Sequence, residues 1–238
     1  MMNTASVIRL EKIVHAYENK LVLNEVSHDF INNKITAVLG RSGSGKTTLL
    51  KIINGIVKPE RGRVTVFNQP IDYHHIQAMR LKMGYVVQHV GLFPHLTIQE
   101  NMSILARIAK SETKYVQSRI NYLMNLVQLP NTYLTKYPHQ LSGGEQQRVG
   151  LCRAMFLNPP VMLMDEPFAS LDNETKESIY QDLISNQQTE PRTIVLITHS
   201  EAEALILADH FIWLKEGKIV ESGDRQKLKN LFSEAIAE

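Results

Sequence analysis

Eight consecutive residues, Gly40-Arg41-Ser42-Gly43-Ser44-Gly45-Lys46-Thr47, have the types and spacing that hold a chain of phosphates. The pattern is G-x-x-x-x-G-K-[ST]. Its glycines let the backbone curl until several N–H groups face one anion. Lys46 can reach the terminal phosphates, and the Thr47 hydroxyl can hold Mg²⁺. The flanks suit this chemistry. An apolar, β-prone run, Ile35 to Leu39, leads into the loop, and a helix-like run, Lys46 to Asn54, follows it and stops at Gly55. The start of that helix adds free donors and a partial positive charge.

Three further apolar runs end in a polar group: Val87 before Gln88, Met164 before Asp165, and Ile197-Thr198 before His199. In open parallel α/β sheets, ligands bind beyond the carboxyl ends of the strands. If the four runs are parallel strands, Lys46, Gln88, Asp165, Glu166 and His199 collect at one rim. Phosphoryl transfer then suggests roles. Asp165 and Thr47 supply the hard oxygens that Mg²⁺ requires. Glu166 follows the metal ligand and points the other way, a position for the base that polarises an attacking water. His199 can donate to a γ-phosphate oxygen, and Gln88 can reach the metal or the water.

The elements needed to position these groups can be read in chain order. Residues 6–35 are β-rich, with Tyr17 between the first two strands, either a surface aromatic or a plate for a nucleotide base. Arg63 to Phe67 and Met83 to Val87 read as strands, and His74 and His75 fall in a solvated stretch between them. Val90-Gly91-Leu92-Phe93-Pro94 is an apolar loop. From Thr97 to about Leu129 the apolar spacing is three and four, as in helices. Ser142 and Glu145 have the spacing of a capping box, and Ser200 and Glu203 repeat it. Val161 to Met164 is a short, all-apolar strand of the kind covered on both faces, and Thr193 to Thr198 reads as another buried strand. The reading is therefore an α/β fold. A mainly parallel core with an N-terminal antiparallel β-subdomain (1–96 and 158–238) carries an inserted α-helical subdomain (97–157).

Composition narrows the function. There are 26 Lys plus Arg against 24 Asp plus Glu, and a net charge of +2 gives no reason to expect nucleic acid as a partner. One cysteine, Cys152, permits no internal disulfide, which fits a reducing compartment. The first residues lack the layout of a signal peptide, and no apolar run approaches the length of a membrane span.

With these residues in place, the chain resembles the ATP-binding subunit of an ABC transporter over nearly its whole length. Leu141-Ser142-Gly143-Gly144-Glu145-Gln146-Gln147-Arg148 is similar to the ABC signature, although the commonest form has Gln where Glu145 stands. Gly40 to Thr47 resembles the Walker A motif of P-loop NTPases, and Val161 to Asp165 with Glu166 resembles Walker B. Ser170-Leu171-Asp172 resembles the D-loop, Gln88 the Q-loop and His199 the switch histidine. The resemblance implies ATP and Mg²⁺ as cofactors. ATP is then held by Gly40 to Thr48 with Tyr17 on the adenine, and Mg²⁺ by Thr47, Gln88 and Asp165. Catalysis falls to Glu166, His199, Gln88 and Lys46. It also implies a dimer in which Ser142, Gly143, Gly144 and Glu145 of one subunit cap the ATP held by the other.

The loop Gly91 to Thr97 and the stretch Glu166 to Asp172 look most like bacterial importers of polar amino acids, quaternary amines or small anions. The resemblance implies separate transmembrane permease subunits, a second ATPase that is an identical copy or a close paralogue, and a separate solute-binding protein. It places the chain on the cytoplasmic face of the inner membrane, attached through the permease. An ABC ATPase driving a non-importing membrane machine, such as lipoprotein release, is the alternative. The 39 residues after His199 (238 − 199) leave no room for the regulatory C-terminal domains of some such subunits.

Overall fold

The computed structural model describes residues 6–88 and 91–237, with side chains as far as residue 233. Val90, expected in an apolar loop, lies outside the described residues, as does the side chain of Ile236. Two compact units are formed, one by Met1–Gln77 with Pro191–Glu238 and the other by Ala78–Glu190.

In the first unit, β1 (Ser6–Tyr17) and β2 (Lys20–Ile31) form a long antiparallel hairpin. Its turn residues Glu18 and Asn19 have φ of 48° and 68°, the left-handed pair that matches strand twist in two-residue hairpins. Both strands carry a left-handed residue at a register slip, Lys12 (φ 49°) between Leu10 and Ile13 and Glu25 (φ 54°) opposite the slip between Ile13 and His15. The slips keep Ile8, Leu10, Ile13, Leu23, Val26 and Phe30 buried on one side. After β3 (Ile35–Leu39) and α1 (Lys46–Ile53), β4 (Arg61–Val66) and the short β5 (Gln69–Pro70) complete a sheet ordered β2-β1-β4-β5.

The unit resumes with β8 (Thr193–Ile197), α7 (Glu201–Leu207), β9 (His210–Lys215), β10 (Lys218–Asp224) and α8 (Arg225–Ala237). β3 is parallel to β8 on one side and to β9 on the other, and β10 returns antiparallel along β9. Every residue of β3 and β8 is buried, as their unbroken apolar sequences require. α1 buries Leu49, Leu50, Ile52 and Ile53 completely. At about 1.5–3 kcal/mol for each such side chain, this packing anchors the helix start that the glycine loop depends on.

The second unit takes in α2 (Gln77–Arg80), then β6 (Met83–Val86), α3 (Ile98–Ile108), α4 (Thr113–Leu126), α5 (Gly143–Met155), β7 (Val161–Asp165) and α6 (Asn173–Thr189). β6 and β7 are parallel, with Val86 opposite Met164. The helices close on a core of Ile98, Met102, Ile120, Leu123, Met124, Val149, Cys152 and Phe156. The open carbonyls at the end of α5 are satisfied by α4. Arg119 donates to Met155 O at 2.7 Å and Phe156 O at 3.1 Å, and the Tyr115 hydroxyl donates to Phe156 O at 3.0 Å. The helical segment 97–157 lies inside this unit, which also includes β6, β7 and α6.

Candidate functional site

In the first unit, β3 delivers the chain into the loop Gly40–Thr47, and α1 starts directly from it. The N-terminal cap of α1 is Gly45, with φ 104° and no side-chain cap hydrogen bond. By contrast, α3, α5, α6 and α7 each have their first turn closed by a Thr, Ser or Asp side chain. A Cβ on Gly45 would stand 2.7 Å from Val22 O, so only glycine fits both the conformation and the space. A helix start without a side-chain cap suits an anionic ligand.

Lys46 is buried and bends back over the loop, its ammonium donating to Gly40 O at 2.8 Å and Arg41 O at 2.9 Å. Ser44 Oγ is buried and has no hydrogen-bond partner among the described residues. Such a hydroxyl costs about 1–3 kcal/mol of lost solvation, and a phosphate oxygen in the loop would satisfy it. Arg41, Ser42 and Gly43 form the exposed crown, and Thr47 is half-buried behind Lys46 beside the buried Thr48. The donors, the orphaned hydroxyl and the ammonium together fit a nucleotide polyphosphate.

Because β8 runs parallel to β3, with Val38 opposite Ile197, His199 emerges at the same edge as Gly40. It is exposed on a turn pinned by buried Thr198, whose hydroxyl donates to Glu203 and accepts the Ser200 N–H. The capping box expected at Ser200 and Glu203 is therefore only half formed. Glu203 N–H does bond Ser200 Oγ at 3.2 Å, but the Glu203 carboxylate goes to Thr198. Tyr17 is the last residue of β1 rather than a residue between strands, and it is 44% exposed. His15, buried in the same strand, meets its ring edge-on at 4.7 Å. Nothing in the sequence marked His15 as that support.

In the second unit, β7 ends on buried Asp165, and Glu166 follows half-exposed. Glu166 has φ 49°, left-handed backbone that costs an ordinary residue about 1–3 kcal/mol. The parallel pairing of β6 with β7 brings Gln88 beside it, with Gln88 Nε2 3.5 Å from Glu166 Oε2. On β6, burial and then the Asp165 charge push the Tyr85 hydroxyl up to about 12.

The predicted capping box on α5 is complete. Glu145 N–H donates to Ser142 Oγ at 3.3 Å, and Glu145 Oε2 accepts from Ser142 N at 2.7 Å and Ser142 Oγ at 2.8 Å. The Ser142 N–H is the main reason the Glu145 carboxyl lies below its ordinary range. Tyr133 OH donates to its other oxygen at 3.0 Å. The two glycines that follow differ. A Cβ on Gly144 would meet Ser170 O at 2.9 Å, whereas one on Gly143 would meet nothing within 4 Å. Gly143 is therefore not required by the chain's own packing.

The loop after β6 keeps Leu92 half-buried and Phe93 41% exposed. It is held by Asn101, a fully buried residue that sequence reading missed. Asn101 accepts from Phe93 N at 2.8 Å and donates to the carbonyls of Phe93, Leu96 and Thr97 at 3.0 Å each. A polar residue within the apolar spacing of α3 was the available signal.

Comparison with known proteins gives the family. The family model described as ABC transporter matches residues 23–169. The glycine betaine/carnitine/choline transport ATP-binding protein of Bacillus subtilis is 38% identical over 98% of this chain and 62% of its own length. The glycine betaine uptake system ATP-binding protein of Escherichia coli is 36% identical over 92% of this chain and 71% of its own. The chain thus spans about three fifths of the first relative. A solved dimer of an ATP-binding cassette in a post-hydrolysis state, bound to ADP and Pi, superposes with a TM-score of 0.86. It is 30% identical over 92% of this chain and 98% of that one. With its phosphate loop inside the matched segment and its α/β P-loop NTPase fold shared with that cassette, the chain belongs to the ABC transporter family.

Proposed function

We propose that this chain is the ATP-binding and hydrolysing subunit of a bacterial solute importer, working as a dimer that shares its ATP between subunits. The observation that carries this reading is that two helix starts of one chain are lined by glycines that leave room for an anion. One is the uncapped, glycine-lined start of α1. The other is the start of α5, where Gly143 leaves space that none of the described residues fills. One ATP has one γ-phosphate and needs no second cradle from its own subunit. In a two-fold pair, each Ser142 meets the ATP on the partner's phosphate loop.

In this reading Lys46 and the N–H groups of α1 bind the phosphates, and Tyr17 stacks on the base. Mg²⁺, when bound, would be held by oxygens of Thr47, Asp165 and Gln88 and would supply positive charge beside the phosphates. Glu166 accepts the proton of the attacking water, and His199 donates to a γ-phosphate oxygen. Closing around ATP and parting after hydrolysis drives separate transmembrane permease subunits from the cytoplasmic face of the membrane. The second ATPase is an identical copy or a close paralogue, and a separate solute-binding protein delivers cargo. Among the described residues no helix is long and apolar enough to cross a membrane. The similarity to glycine betaine and choline systems favours a quaternary amine as cargo, and an importer over a non-importing membrane machine.

The test is isolation of the chain from native membranes with its bound partners. A permease with a solute-binding protein is expected, and a partner of any other kind contradicts the importer reading. Phe93, exposed on the loop that Asn101 braces, is the expected seat of a permease helix. Phe93→Asp is expected to abolish co-isolation of the permease. If the altered chain assembles and transports normally, docking lies elsewhere.

A further inference from the structure

The backbone that carries Glu166 is held by one face of α5. Gly144, Gln147 and Arg148 stand at i, i+3 and i+4 and so share that face. Each touches the stretch after Glu166. Gln147 is 3% exposed and donates from Nε2 to Pro167 O at 3.1 Å. Gly144 lies so close to Ser170 O that a Cβ would stand 2.9 Å from it. Arg148 donates to Thr175 Oγ1 at 3.3 Å, and that hydroxyl also bonds Asp172, the N-cap of α6.

The first of these contacts matters most. Glu166 sits at φ 49°, a conformation an L-residue leaves unless its surroundings hold it. The next residue is proline, which has no N–H, so the junction cannot be fixed by a donor. The Glu166 carbonyl accepts from the Ala169 N–H at 3.3 Å, and the next carbonyl, that of Pro167, is taken by the Gln147 side chain. Phe168, fully buried edge-on against Tyr180 at 5.0 Å, anchors the chain one residue further on.

We infer that Gln147 is a positioning residue for Glu166, holding its strained backbone through the Pro167 carbonyl. The inference rests on the reading of Glu166 as the base.

Gln147→Met removes the donor at nearly constant volume. Turnover in MgATP is expected to fall about tenfold while KM and nucleotide affinity stay near parental values. A merely structural role would instead lower nucleotide affinity and thermal stability together with turnover. The deciding readout is a double-mutant cycle with Glu166→Gln, by single-turnover hydrolysis. If Gln147 acts through Glu166, Gln147→Met costs nothing further in that background. Parental turnover in Gln147→Met, or an equal loss in both backgrounds, overturns the inference. Near-parental turnover in Glu166→Gln overturns the base assignment and the positioning role with it. Should Gln147→Met fail to fold, Gln147→Asn keeps the amide one methylene short of Pro167 O and serves the same cycle.

Discussion

Glu166→Gln is expected to lower ATP hydrolysis about a hundredfold or more, the range for loss of a general base, while MgATP still binds. The expectation follows from two features of the site. β7 ends at Asp165, which is buried, and Glu166 is the first residue beyond the strand. The left-handed backbone of Glu166 then turns its half-exposed carboxylate to within 3.5 Å of the Gln88 amide. Glutamine preserves the shape and the hydrogen-bonding reach and removes only the basicity. Phosphate release and nucleotide binding, measured on the same preparation, separate the two effects. Near-normal turnover would show that the base is another group.

Lys46→Ala is expected to weaken nucleotide binding about tenfold or more, in line with loss of a hydrogen bond to a charged group, and to reduce hydrolysis as well. The structure adds a second reason for a large effect. The Lys46 ammonium also bonds Gly40 O and Arg41 O, so its removal loosens the cradle as well as its charge. Both ADP and ATP affinities should therefore fall, whereas Glu166→Gln should spare both. Calorimetric titration of the two variants with each nucleotide gives the comparison. Parental affinity for MgATP in Lys46→Ala would mean that the phosphate loop is misread.

The strands under the site were legible because they are buried on both faces and read as unbroken apolar runs. The outlines of β3, β7 and β8 follow the runs at Ile35, Val161 and Thr193 closely. The glycine loop was legible because the conformation at Gly45 excludes other residues. β1 and β2 proved longer than their apolar fragments suggested, since the left-handed residues Lys12 and Glu25 interrupt the alternation that marks a strand. The half-formed cap at Ser200 was misjudged because spacing alone does not show that Thr198 competes for Glu203. The contacts of Gln147 and Asn101 were missed for a related reason. Each is a buried amide whose partners are backbone carbonyls, and carbonyls have no residue identity to read.

The central claim is that ATP is held between two copies of the chain, and an inter-chain crosslink tests it most directly. One chain carries Ser42→Cys on the crown of the phosphate loop, and a second carries Ser142→Cys at the start of α5. Both contain Glu166→Gln to retain ATP, and the native Cys152 is buried and does not compete. Because each chain has only one of the engineered thiols, a disulfide between them can form only across an interface. The shared-site dimer predicts a crosslinked species that accumulates with MgATP and not with MgADP or without nucleotide. No crosslink with MgATP, or the same yield in all three conditions, would contradict it.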